Sequence, residues 1–153
     1  MKRFGRMALA AAALMTATVA LAESPFDGAV TARKSVMQLR AFNIGQLGGM
    51  AKGDVPYDAT LAQAAADNLV AIAGINMMAM WPPGSDNGAI TGTNALPAVW
   101  AEGSTILDKD KAYHDAALAM QTAAGVDLAS LQGAMGALGG SCGGCHKEFK
   151  ASQ

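Results

Sequence analysis

The chain has 153 residues, enough for one domain, and 11 Lys and Arg against 12 Asp and Glu give it a formal charge of −1. All of that acidity lies beyond the first 22 residues, which hold three of the basic residues; without them the charge is −4. A net negative domain is a poor match for nucleic acid and for an anionic membrane surface.

Residues 1–22 read as a cleaved secretory signal peptide. Lys2, Arg3 and Arg6 form a basic start, Met7 to Val19 an apolar run, and Ala20-Leu21-Ala22 an A-x-A cleavage site. The apolar run is too short for a span of about 20 residues, which argues against a membrane anchor. The mature domain, 23–153, is expected to begin at Glu23 in the periplasm, because the leader has a bacterial pattern.

Alanine is abundant, proline is scarce, and no segment alternates as a strand does. Four helices are expected. The first covers about Phe26 to Lys52, with Val30, Val36, Met37, Ile44 and Leu47 facing inward; Gly53 and Pro56 stop it. The second runs from Asp58 or Thr60 to Met80, with a stripe of Leu61, Ala65, Leu69, Ile72 and Asn76, and ends at Pro82-Pro83. A long connection follows, from Trp81 to about Thr105; loops of this length are usually functional or disordered. Its two tryptophans suggest that it packs on something. The third helix is expected over Asp108 to Ala124, capped by Gly125, with His114 on its surface. The fourth covers Asp127 to Lys150, with Asp127 as N-cap.

Leu128, Leu131, Met135, Leu138, Cys142, Cys145 and Phe149 are spaced three and four apart on this last helix, as one continuous stripe. The cysteines belong to Cys142-Gly143-Gly144-Cys145-His146, a C-x-x-C-H motif and the attachment signature of c-type haem. Two thiols add across two porphyrin vinyl groups, and the adjacent imidazole reaches the iron from one side. Gly143 and Gly144 put no side chain in the way. A thioredoxin-type motif needs a preceding strand, and here a helical pattern precedes it. A zinc site needs more ligands, but His114 is the only other His and no other Cys exists. A disulfide between helical residues three apart has poor geometry. Gly133, Gly136, Gly139 and Gly140 weaken the helix by roughly 1 kcal/mol each relative to Ala; a flat cofactor, a close helix neighbour or a merely weak helix would account for them.

The chain resembles the class II c-type cytochromes, the cytochrome c′ and cytochrome c-556 family. The likeness covers Glu23 to Gln153 and rests on the C-terminal C-x-x-C-H, on Ala32-Arg33-Lys34 with the helix that follows, on Pro82-Pro83-Gly84-Ser85-Asp86, and on Leu96-Pro97-Ala98-Val99-Trp100. It implies an all-α, up-down-up-down antiparallel four-helix bundle enclosing one covalent haem c. It implies thioether links at Cys142 and Cys145, His146 as proximal iron ligand and the first helix on the distal side. The key distal position, four residues after Arg33, is held by Met37. A Leu there goes with five-coordinate, high-spin iron; a Met, as in c-556-like members, gives six-coordinate, low-spin iron. Arg33, Lys34, Ser85 and Asp86 are the implied haem contacts. Lys34 replaces a Gln of some relatives, and Lys150 stands where relatives often have Arg.

These features point to a periplasmic one-electron carrier with His/Met ligation and no catalytic residues. Its partners would be redox proteins met transiently, with no nucleic acid and no membrane span in the mature form. The alternative is a high-spin cytochrome c′ that binds NO or CO at an open distal site. A small haem peroxidase is disfavoured, because the first helix offers no distal His–Arg pair. The family contains both monomers and homodimers, the latter formed through the first two helices.

Overall fold

The computed structural model describes residues 24–152. The leader, its cleavage site and Glu23 lie outside the described residues. Four helices form the domain: α1 (Asp27–Lys52), α2 (Ala59–Ala73), α3 (Ile106–Ala123) and α4 (Leu128–Phe149). Each packs against the next, and α4 closes the ring against α1, giving an up-down-up-down bundle. No helix among the described residues is long and apolar enough to cross a membrane.

Helix ends follow local chemistry. Gly53 terminates α1 with φ 79°, a left-handed conformation suited to glycine, and its N–H donates to carbonyls of the last turn. Asp58 caps α2 by accepting from the Leu61 N–H at 2.9 Å, and Asp127 caps α4 by accepting from the Ser130 N–H at 2.7 Å. At the far end of α3, Ala124 is the C-cap and not Gly125. Gly125 has a different reason to be small: a Cβ there would lie 2.6 Å from Gln63 Oε1 of α2.

The core holds Leu47 and Met50 of α1, Ala62, Ala66 and Leu69 of α2, Met120 of α3, and Leu131 and Leu138 of α4. The α4 stripe is as expected, with Leu131, Leu138 and Phe149 buried and the cysteines half-buried. The α2 stripe holds at Ala65, Leu69 and Ile72 but fails at its two ends, Leu61 and Asn76. Leu61 is 59% exposed, and Ala62, Ala65, Ala66, Leu69 and Ile72 form the inner face. Alanines leave α1 and α3 room to approach closely, so the small residues turn inward and the leucine turns out. α2 also ends at Ala73, seven residues before Met80. Gly74 breaks it, and the Asn76 side chain then accepts from the Met78 N–H at 3.0 Å, starting a short 3₁₀ turn at Met78–Met80. Asn76 is exposed rather than part of the inner face.

Two polar side chains of α1, Arg33 and Asn43, are buried among its apolar ones. Asn43 is satisfied, donating to the Leu39 carbonyl at 2.8 Å and accepting from Asn68 Nδ2 at 3.0 Å. The other, Arg33, organises the candidate site. The four α4 glycines are exposed, and a Cβ at any of them would meet no atom within 4 Å. A close helix neighbour therefore does not account for them.

Candidate haem site

Three residues per step on a helix place Cys142 and Cys145 on adjoining parts of one face. Both thiols are free and half-buried, and Cys142 packs against the hydrophobic core. Burial pushes the Cys145 thiol up; the Arg40 guanidinium pulls it the other way. His146 lies on the outer part of the same turn. Its partial burial, and then the charge of Lys150, pull the imidazole down from its usual value. That favours the neutral ring, the form with a lone pair free for iron. A Cβ built on Gly143 or Gly144 meets nothing within 4 Å, so the space alongside the motif is open. A hollow of about 360 Å³ adjoins His146, bordered by Gly143, Lys147 and Lys150. Two free cysteines and an adjacent imidazole on one turn suit a covalently held ring; the hollow itself borders the imidazole and neither cysteine.

The long connection is ordered and ties the two sides of this site together. Arg33 is only 4% exposed. Its Nη1 donates to Ser85 Oγ at 2.8 Å and to the Met80 carbonyl at 3.4 Å. Its Nη2 donates to the Ser85 carbonyl and to Thr93 Oγ1 at 2.6 Å. The guanidinium also lies 4.8 Å from the Trp81 ring centroid, a cation–π distance. Trp100 packs on Trp81 at 6.0 Å and donates its Nε1–H to the Trp81 carbonyl. The connection then meets the end of α4 in an isolated antiparallel bridge between Ala95 and Lys150. The Leu96 N–H donates to the Phe149 carbonyl at 2.9 Å, and the Ala151 N–H to the Asn94 carbonyl at 2.8 Å. Arg33 of α1 is thereby linked, through one loop, to the turn that follows His146.

Of the residues expected at the site, Arg33 and Ser85 are in contact. Met37, one turn beyond Arg33, is half-buried beside buried Val36. Asp86 turns back on its own loop, accepting from the Gly88 and Ala89 N–H groups. Lys34 is exposed and His114 is half-buried. Lys150 enters through its backbone, in the bridge to Ala95. Thr93 and Trp81 were not among the expected site residues; Trp81 carried only the general signal of a loop tryptophan that packs on something, and Thr93 carried none. Arg40 was also missed, although it stands seven residues after Arg33 and three after Met37, spacings that place it on nearly the same helix face.

The comparisons agree with this geometry. The family model described as Cytochrome C′ matches residues 28–150. The chain belongs to the cytochrome c′ family. Cytochrome c-554 of Cereibacter sphaeroides is 42% identical over 145 residues, covering 94% of this chain and 95% of that protein. The solved cytochrome c′ of Rhodobacter sphaeroides superposes with a TM-score of 0.82 at 34% identity, covering 85% of this chain and all of that one. A nitric oxide complex of a cytochrome c prime mutant from Alcaligenes xylosoxidans superposes at 0.72 with 29% identity, over 84% of this chain and 97% of that one. Haem c, covalently bound, is the cofactor of cytochromes c′, and Cys142 and Cys145 are the residues of this chain that would hold it.

Arg33 brings a testable consequence. Arg33→Ala removes four hydrogen bonds from a buried cation, takes the Arg33 donor from the Ser85 oxygens and leaves Thr93 Oγ1 with the Ala95 N–H alone. Hydrogen bonds to charged groups contribute about 1.5–3 kcal/mol each and are not additive, so a net loss of about 3 kcal/mol is expected. Denaturant unfolding of the haem-loaded protein measures it. Arg33→Lys should recover less than half, because an ammonium cannot reproduce the planar fork. A change below about 0.5 kcal/mol for Arg33→Ala, the usual range for an ordinary surface residue, would refute the loop-clasp role.

Proposed function

We propose that this cytochrome c′ family member is a periplasmic one-electron carrier, with low-spin iron held between His146 and Met37. The supporting observation is the clasp: Met37 lies one helical turn from Arg33, and Arg33 is bonded to the loop that is stitched to α4 just after His146. A thioether on α1 and an imidazole on α4 are thus carried by elements fixed to one another. Haem c supplies the one-electron couple. His/Met ligation raises its potential, and an apolar bundle tunes it further. With both axial positions occupied by protein, no site is left for a substrate. Export by the leader, and the net charge of −4 without it, suit encounter with soluble redox proteins.

A second reading is a gas binder with high-spin iron and Met37 unligated. The nitric oxide complex of the related cytochrome c prime mutant favours it. The absorption spectrum of the purified ferric protein separates the two. Low-spin bands are expected at neutral pH. High-spin bands would overturn the His/Met assignment and promote NO or CO binding.

A further inference from the structure

Arg40 is a cation that the site described so far does not use. Its side chain is only 11% exposed. Nε and one Nη have no hydrogen-bond partner although both atoms are buried. The guanidinium lies 4.0 Å from the Tyr113 ring centroid and 3.6 Å from Asp110 Oδ1. Asp110 does not neutralise it fully, since the contact is longer than a hydrogen bond and that carboxylate side chain is 47% exposed. Tyr113 stays neutral, pushed up by burial to about 12. A guanidinium is always protonated, so its charge is permanent.

Its position is as telling as its burial. Tyr113 belongs to the core cluster on which Cys142 packs. Asp110, which Arg40 meets, follows Lys109, and Lys109 is paired with Glu148 of α4, three residues after Cys145. Arg40 therefore stands at the level of the cysteine turn of α4. It is almost two turns along α1 from Arg33, whose donors are taken up by the loop.

We propose that Arg40 is a potential-setting residue: a buried positive charge beside the thioether edge of the haem that stabilises the reduced state, with Asp110 as a weaker opposing charge. This rests on haem attachment at Cys142 and Cys145, and not on which group fills the distal position. Reduction takes one electron from a redox-protein partner and lowers the charge on iron by one, with no bond formed or broken. A nearby cation favours the less positive iron, and the low dielectric of the bundle lengthens its reach. The unpartnered donors fit this role, because a guanidinium saturated with hydrogen bonds to carboxylates would have its field cancelled.

Equilibrium redox titration of the haem-loaded protein tests the proposal, with haem content fixed by intact mass and the pyridine haemochrome spectrum. Arg40→Gln should lower the midpoint potential, and Arg40→Lys should restore most of it. Asp110→Asn should raise it. Opposite signs for Arg40→Gln and Asp110→Asn are an electrostatic signature that a merely structural role does not produce. A midpoint unchanged in Arg40→Gln, or unchanged in Asp110→Asn where Arg40→Gln fails to fold, would overturn the proposal. Protein that lacks covalent haem in the wild type defeats the attachment reading instead, and is recognised by its mass before any titration.

Discussion

Alanine at both Cys142 and Cys145 is expected to abolish covalent haem and to lower the folded yield together. Wild-type protein exported from a host with haem-attachment machinery should have the mass of Glu23–Gln153 plus one haem. The double variant should have the mass of the polypeptide alone, and its haem, if any, should be lost to acid–acetone extraction. The stability effect follows from where the cysteines lie. They continue the stripe that includes Leu131 and Leu138, both fully buried. A cofactor seated there is part of the core, and each ~100 Å² of apolar wall left wet in its absence costs about 2.5 kcal/mol. A destabilisation of at least about 2 kcal/mol, or about 8 °C in Tm for a domain of this size, is expected. Circular dichroism melts check it. A double variant as helical and as heat-resistant as the holoprotein would show that the bundle is complete without its haem.

The fourth helix was the most legible part of the sequence. Its apolar stripe, its Asp127 cap and its C-x-x-C-H all reinforce one another, and the structure ends it at Phe149, one residue from the expected limit. α2 was the least legible. Leu61 has the stronger hydrophobic signal, yet it is exposed while Ala62 and Ala66 are inside, beside the larger Leu69 and Ile72. Periodicity reads hydrophobicity, not volume, and an alanine-rich helix offers two stripes a residue apart. The extension to Met80 failed for a related reason: three methionines continue the apolar pattern past Gly74, while the backbone has already turned.

The two arginines of α1 show where pattern reading stops. Arg33 was legible as a site residue through its resemblance to the family motif, but not the way its donors are used. Its partners Ser85, Thr93 and the Met80 carbonyl lie 47 to 60 residues away in a loop without periodicity. Arg40 carried no motif at all. A lone arginine in a helix ordinarily faces solvent with its stem along the surface. Only the burial of its guanidinium, with Nε unpartnered and Tyr113 beneath it, sets it apart.

Met37→Leu is expected to turn a low-spin carrier into a high-spin gas binder. Leucine and methionine have similar volumes, and such exchanges usually cost under about 1.5 kcal/mol. Met37 is only half-buried, and its neighbour Val36 supplies the buried contact on that turn. The bundle should therefore survive the substitution, as a near-native melting curve would show. What changes is the donor set. Leucine has no lone pair, so a sulfur bound to iron in the wild type is lost without a replacement. The weak near-infrared band of Met-to-iron charge transfer should vanish from the ferric spectrum. The potential should fall, because thioether ligation favours the reduced metal. CO and NO should bind readily at the vacated position, whereas the wild type should resist them. The Arg33 clasp should hold the loop and α4 in place in this variant, so altered ligand binding would report the iron's coordination and not a collapsed pocket. A wild-type protein already high-spin at neutral pH, with a spectrum that Met37→Leu leaves unchanged, would remove Met37 from the iron and make gas binding the primary reading.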